Sequence, residues 1–272
     1  MKLLIVGIVR DVAAVLERQV AILQAAFEGL GALSWSLVHS DSKDLTLDAL
    51  ERCRKNVTNF EYIDLGTLRG SLKERTVRLA FCRNKYMEVV DSERCKDIDY
   101  VVIADFDSAN MLLTPEKVLA LFSKGNDWDV ATANQKGPYY DVLALRHPLW
   151  CPADCDQVYD FMVGVGQKNS RALQSAVLDK MIIIPEQIAP IQVDSAFGGL
   201  GIYRKSVISG RLYQGVDVSG KPICEHVPLN LAITNEGYKI YVMPALTNAG
   251  YNEHSRRLSR VYRILRVIKS WL

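Results

Sequence analysis

The chain has 272 residues, 49% of them hydrophobic and 24% charged, with a formal net charge of +2. That length holds one large domain or two small ones around a buried core. The composition is that of an ordinary globular protein and excludes a disordered one.

The six cysteines (Cys53, Cys82, Cys95, Cys151, Cys155 and Cys224) follow no framework spacing, so they read as reduced thiols of a cytoplasmic protein. Met1–Val9 is apolar but too short for a signal peptide and carries no cleavage site. No window reaches the roughly 18 apolar residues that a spanning helix needs. Any membrane contact is therefore expected at the surface only.

Lys2–Val9 is a β-rich apolar run without polar alternation, the pattern of a buried parallel strand. Val15, Val20, Leu23, Ala26 and Phe27 give Val12–Leu30 a helical spacing, closed by Gly29 and Gly31. A strand is predicted at Leu33–Val38, ending in His39-Ser40-Asp41-Ser42. A helix follows over Leu45–Asn56, then a short strand at Phe60–Ile63. Ser71–Val90 reads as a long helix bearing Arg75, Arg78, Arg83 and Lys85, and leads into a strand at Tyr100–Ala104. Strand and helix alternating in this way predict an α/β fold with a mostly parallel central sheet flanked by helices.

The second half is less regular. Strands are expected at Val130–Ala133, Asp141–Leu145, Met181–Pro185 and Gly201–Tyr203, with a loop-rich insert over Arg146–Val165. Helices are expected near Ser170–Leu178 and at Val227–Asn235, and a last strand at Lys239–Met243. Neither a Pro/Gly/Ser-rich linker nor an internal repeat divides the chain, which favours one domain with two functional halves.

The apolar run Tyr100–Ala104 stops at Asp105-Phe106-Asp107. Two carboxylates at the carboxyl end of a parallel strand stand where open α/β sheets bind ligands. Such oxygen donors suit Mg²⁺ or Mn²⁺, which take one or two carboxylates together with substrate phosphates. Val9 and Arg10 end the first strand and Asp41 follows the second, so both share that sheet edge. The chain has no G-x-G-x-x-G after the first strand and no G-x-x-x-x-G-K-[ST], which disfavours a dinucleotide-binding dehydrogenase and a P-loop nucleotidase. His147-x-x-x-Cys151-x-x-x-Cys155 lacks an evident fourth ligand and is read as a loop rather than a zinc site.

Several segments, in order, resemble GT-A-fold nucleotide-sugar glycosyltransferases of the family 2-like and capsule-related mannosyltransferase-like kind. Arg78-Leu79-Ala80-Phe81-Cys82-Arg83-Asn84 is similar to the helix before their metal motif, and Asp105-Phe106-Asp107 to the motif itself. Phe197-Gly198-Gly199-Leu200-Gly201 resembles the acceptor-side glycine segment. Cys224-Glu225-His226 stands where many members carry a Glu-Asp pair at a helix start, and Gly237–Pro244 resembles their closing strand.

The resemblance implies a GT-A domain over residues 1–250, with a nucleotide-sugar-binding half (1–110) and an acceptor-binding half (111–250). It implies a GDP-, UDP- or dTDP-linked donor near Val9, Arg10, Asp41, Arg78, Arg83, Asp105 and Phe106. Mn²⁺ or Mg²⁺ would sit on Asp105 and Asp107, with His254 as a further ligand. The acceptor, a glycan or lipid-linked hydroxyl in surface polysaccharide synthesis, would lie near Tyr140, Asp141, Gly198 and Gly199. Glu225 or His226 would take the acceptor's proton, although His226 replaces the usual acid and leaves inverting and retaining outcomes open. A sugar-nucleotide nucleotidyltransferase is disfavoured by the glycine-poor Gly7–Asp11, and an inactive GT-A-like scaffold by the intact D-x-D.

Residues 251–272 form a separate basic tail. Leu258, Val261, Tyr262, Leu265, Ile268 and Leu272 share one helical face, opposite Arg256, Arg260, Arg263 and Arg266. An amphipathic helix of this kind is expected to lie on a membrane surface, on the chain's own core or on another subunit, rather than on nucleic acid.

Overall fold

The computed structural model describes residues 1–123, 127–252 and Ser255. The first half follows the sequence pattern closely. Strands β1 (Lys2–Val9), β2 (Ala32–His39), β3 (Phe60–Asp64) and β4 (Tyr100–Ala104) alternate with helices α1 (Leu16–Phe27), α2 (Thr46–Asn56) and α3 (Arg75–Val90). All pairings among these strands are parallel.

Alternate residues of a strand face opposite sides of its sheet, which explains why β1 beyond Lys2 and the whole of β4 lack polar alternation. Leu4, Val6, Val101 and Ile103 pack with Tyr86, Met87 and Val90 of α3. Leu3, Ile5, Val102 and Ala104 pack on the other face with Leu16, Val20 and Leu23 of α1. Each fully buried aliphatic side chain contributes about 1.5–3 kcal/mol relative to an exposed one, so both faces are driven shut by the same term.

The second half adds α4 (Pro115–Ser123), β5 (Val130–Gln135), α5 (Cys155–Gly164), α6 (Asn169–Ala176), β6 (Ile191–Val193), β7 (Leu200–Arg204), α7 (Lys205–Ile208), α8 (His226–Asn235) and β8 (Ile240–Ala249). The eight strands form one sheet in the order β3-β2-β1-β4-β7-β5-β8-β6. β7 runs antiparallel between β4 and β5, β8 is parallel to β5, and β6 is an antiparallel edge. The sheet is therefore mixed and mostly parallel.

The irregular half departs from its predicted elements. Residues 141–145 form a turn, closed by the Leu145 N–H donating to the Val142 carbonyl, and not a strand. The expected strand at Met181–Pro185 reduces to a single bridge between Ile183 and Pro138. The expected insert contains α5, begun by Asp154, whose carboxylate accepts from the N–H groups of Asp156 and Gln157, a cap that a short, weakly periodic segment disguises. The last strand runs through Pro244 to Ala249, because register shifts between β5 and β8 accommodate a residue that donates no ladder bond. His254 and the expected tail helix over 256–272 lie outside the described residues.

Candidate active site

The carboxyl ends of β1, β2 and β4 open onto a cleft of about 720 Å³, the place a parallel sheet provides for a ligand. Val9 and Arg10, Ser40 and Asp41, and Asp105, Phe106 and Asp107 line it from the three strand ends. Gly7 makes this edge possible. A Cβ there would lie 2.4 Å from the Ala104 carbonyl oxygen and 2.5 Å from the Phe106 ring, so only glycine lets Phe106 fold back beneath the strands.

The opposite wall comes from distant parts of the chain. Arg75, Arg78 and Arg83 of α3, Tyr140 and Asp141, Phe197, and Glu225 and His226 at the start of α8 all line the cleft. Gly198 and Gly199 do not reach its surface but hold it from below, both with φ in the left-handed region, +69° and +79°. The Gly199 carbonyl accepts from the Asp105 N–H at 3.0 Å, and the Gly198 N–H donates to Asp141 Oδ2 at 2.8 Å. A Cβ on Gly199 would meet the Tyr140 hydroxyl at 2.8 Å. The expected acceptor glycines are thus the support of the site rather than its surface.

At the centre is Arg83, whose side chain is 4% exposed. Its Nε donates to Glu225 Oε1 at 2.8 Å, Nη1 donates to the Tyr86 hydroxyl at 3.2 Å, and Nη2 lies 3.5 Å from Asp105 Oδ1. Tyr86 donates in turn to the Tyr213 hydroxyl at 2.9 Å. The guanidinium also lies over the rings of Phe197 and Tyr213, at 5.4 and 5.6 Å. Burial works against this charge, but Tyr86, Glu225, Tyr213 and Asp105 together hold it protonated well beyond the ordinary arginine range.

Glu225 is therefore a buried counter-ion to Arg83. His226 is different. Its ring stacks on Phe197 with centroids 3.9 Å apart and an interplanar angle of 18°, and meets Tyr213 edge-on. Neither ring nitrogen has a hydrogen-bond partner. Burial, and then the Arg83 charge, press its pKa well below the usual imidazole value, so it is neutral near pH 7. Buried polar atoms are normally paired; the carboxylate beside His226 is that of Glu225, whose Oε1 lies 3.9 Å from Nε2.

The two other basic residues of the predicted donor side are partly engaged. Arg78 Nη1 donates to the carbonyls of Leu72 and Lys73, at 2.6 and 2.5 Å, pinning the loop before α3. Arg10 Nε lies 3.4 Å from Asp11. Asp41 (φ +59°) accepts from the N–H groups of Leu68 and Arg69 at 2.9 and 3.0 Å. Burial pushes its carboxyl up, but those amides outweigh it and hold it below the usual range.

Burial, followed by the charges of Asp107, Asp141 and Glu225, pushes Asp105 up to about 7, with Arg83 opposing. Such crowding of acids is the condition a divalent cation relieves, and the donors are oxygens, as Mn²⁺ or Mg²⁺ requires. No group of three metal-binding side chains occurs among the described residues. Asp105 and Asp107 fit such an ion only where water or a ligand's phosphate oxygens complete its shell. Ser108, with φ at +81°, shapes the turn after them. Elsewhere, His147 Nδ1 accepts from the N–H groups of Leu149 and Trp150, which turns it onto its own loop.

Sequence reasoning missed Tyr86, Phe197 as a stacking platform, and Tyr213. Tyr86 lies one helical turn from Arg83, a signal that could have found it; Tyr213 sits in a loop and offered none.

Solved structures match this architecture. The mannosyltransferase PcManGT from Pyrobaculum calidifontis, in complex with GDP-Man and Mn²⁺, superposes with a TM-score of 0.53 at 14% identity, covering 97% of this chain and 60% of that one. S. aureus TarS 1–349 in complex with UDP-GlcNAc gives 0.54 at 14% identity, covering 98% of this chain and 65% of that one. S. aureus TarS itself gives 0.53 at 13%, covering 98% and 39%. The chain thus spans less than two thirds of each of these proteins. No protein-family model matches the chain, and no curated protein does. At such identities the likeness establishes the GT-A glycosyltransferase fold.

Proposed function

We propose that this chain transfers a sugar from a nucleotide-sugar donor to a hydroxyl acceptor with the help of Mn²⁺ or Mg²⁺. The observation that carries the reading is the placement of Asp105 and Asp107 at the end of β4, in a cleft that also gathers Arg10, Arg75 and Arg78. This occurs on a fold shared with proteins solved with GDP-Man and Mn²⁺ and with UDP-GlcNAc. The strand-end side, within residues 1–110, would take the nucleotide diphosphate, and residues 111–250 the acceptor.

A bound cation would supply Lewis-acid stabilisation of the departing diphosphate. Arg10, Arg75 and Arg78 add positive charge to the same cleft, where negative charge would develop as the sugar–phosphate bond breaks. Arg83 holds the buried Glu225 and lies beside the half-buried Asp105, so its charge reduces the repulsion between the two carboxylates. The acceptor's hydroxyl proton would be taken at the Glu225–His226 pair, where Glu225 is engaged with Arg83 and His226 is buried and neutral. Tyr140 and Asp141, which line the cleft, would lie against the acceptor.

Thermal unfolding of the protein with GDP-mannose and UDP-N-acetylglucosamine, each with and without Mn²⁺, tests the reading, because a ligand bound only by the native state raises the melting temperature. A metal-dependent rise for one donor, with slow release of the nucleotide diphosphate, is expected. Absence of any shift across a full nucleotide-sugar panel would overturn it.

A further inference from the structure

Three buried side-chain amides connect the segments that carry carboxylates into the cleft, without lining it themselves. Asn110, Gln135 and Asn248 are each 0% exposed and come from the turn after β4, the end of β5 and the end of β8. Buried amides are costly unless their hydrogen bonds are met, and for Asn110 and Asn248 every amide atom is paired. Asn110 Nδ2 donates to the Asp105 carbonyl at 2.8 Å, and Asn110 Oδ1 accepts from Asn248 Nδ2 at 3.1 Å. Asn248 Nδ2 also donates to the Gly198 carbonyl at 2.8 Å, and Asn248 Oδ1 accepts from Gln135 Nε2 at 3.3 Å. Gln135 Nε2 gives the Gly198 carbonyl a second bond at 3.1 Å.

These bonds close a circuit. Asp105 donates its own N–H to the Gly199 carbonyl, and the Gly198 N–H donates to Asp141 Oδ2. Both backbone groups of Asp105 and both of Gly198 are therefore engaged, and the circuit runs from the D-x-D turn through two amides to the Asp141 carboxylate. The sheet is deformed to complete it. In the β5–β8 ladder Asn134 pairs with Thr247 but Gln135 pairs with Ala249, which leaves Asn248 as an extra residue. A bulge of this kind re-aims a side chain next to a site. The Asn248 carbonyl accepts from the Leu112 N–H at 2.7 Å, so the same residue also fixes the far end of the turn that begins at Asp105. Apolar side chains could supply cohesion at such a junction with no polar desolvation cost; here the bonds to backbone end on Asp105 and Gly198, the residues that place the carboxylates.

We propose that Asn110, Gln135 and Asn248 are positioning residues for the divalent cation: their amides fix the peptide groups of Asp105 and Gly198, and so hold the D-x-D turn at a set place relative to Asp141. The inference rests on the metal reading given above. Mg²⁺ demands near-ideal octahedral geometry, so a turn that presents carboxylates to it must be held from outside the coordination shell. Loss of such an outer support weakens metal affinity by about 10–100-fold.

Electron paramagnetic resonance of free Mn²⁺ in titrations of the full chain measures the Kd of the cation without reference to activity. Wild type is expected to bind Mn²⁺, and Asp107→Ala to lose it. Asn110→Ala and Asn248→Ala should each raise the Kd by about 10–100-fold. Gln135→Leu should fall at the low end of that range, because Asn248 still serves the Gly198 carbonyl; it nearly keeps the side-chain volume and so carries the test where an alanine variant does not fold. Leu50→Ala, at a buried position of α2 that does not line the cleft, loosens the core and should keep the wild-type Kd. A wild-type Kd in the folded amide variants overturns the inference alone, and so does an equal rise in Leu50→Ala. Wild type without Mn²⁺ binding, or binding untouched by Asp107→Ala, overturns the metal reading and this inference with it.

Discussion

The two walls of the cleft are built on different principles. The strand-end wall is set by backbone direction: β1, β2 and β4 run parallel, so whatever follows each strand arrives at one edge. Asp105, Asp107, Arg10 and Asp41 meet there for that reason. The α8 wall is set by side-chain packing. Glu225 and His226 are placed by Arg83, Phe197 and Tyr213, which come from three separate elements. The first wall tolerates change locally; the second transmits it.

The sharpest break of this contrast is Arg83→Met. Removing one partner of a buried ion pair leaves Glu225 and Asp105 uncompensated, and a loss of about 3–5 kcal/mol is expected in urea unfolding. A stability within 1 kcal/mol of wild type, on the scale of about 0–1 kcal/mol set by exposed pairs, would show that the α8 wall does not depend on this charge.

Asp107→Ala should act in the opposite way. Unfolding is expected to shift by less than about 1 kcal/mol, as for a surface substitution, while the Mn²⁺-dependent rise in melting temperature with donor disappears. Nucleotide release should fall by about 100-fold or more. A variant that keeps its metal-dependent shift would place the cation elsewhere.

His226→Phe preserves the stacking on Phe197 and removes one of the two groups proposed to take the acceptor's proton. Transfer should drop by about 10²–10⁴-fold with the donor-induced thermal shift retained; loss of both would make His226 a donor-site residue. The same variant carries the smallest effect, a pH dependence of stability. Folded His226 stays neutral because its pKa is depressed, whereas the unfolded chain takes up a proton below about 6.5. The unfolded state then binds more protons, so wild type loses stability as pH falls below that value, by up to about 1.4 kcal/mol per unit relative to the Phe variant. Parallel stability–pH curves for the two proteins would mean that the ring is not held neutral.

What could be read from the chain follows the same division. The strands β1 to β4, the helices between them and the D-x-D at their edge announce themselves through local periodicity and an abrupt end to an apolar run. The second half was harder because its elements are short: α5 hides behind a cap at Asp154, β6 has three residues, and β8 passes through Pro244. Gly198 and Gly199 were visible as glycines, but not as the props beneath Asp141 and Asp105.

By itself, then, the sequence determined the sheet edge, the carboxylates at it and the cationic residues on the helix beside it, because period-two and period-3.6 patterns act over a few residues. Tertiary structure alone decided what Glu225 and His226 are. Arg83 and Glu225 stand 142 positions apart, and nothing local to either predicts that one carboxylate is held in a buried pair while the neighbouring imidazole is left neutral and unpaired. Protonation and partnership depend on what is packed nearby, and the fold settles that only after distant segments meet.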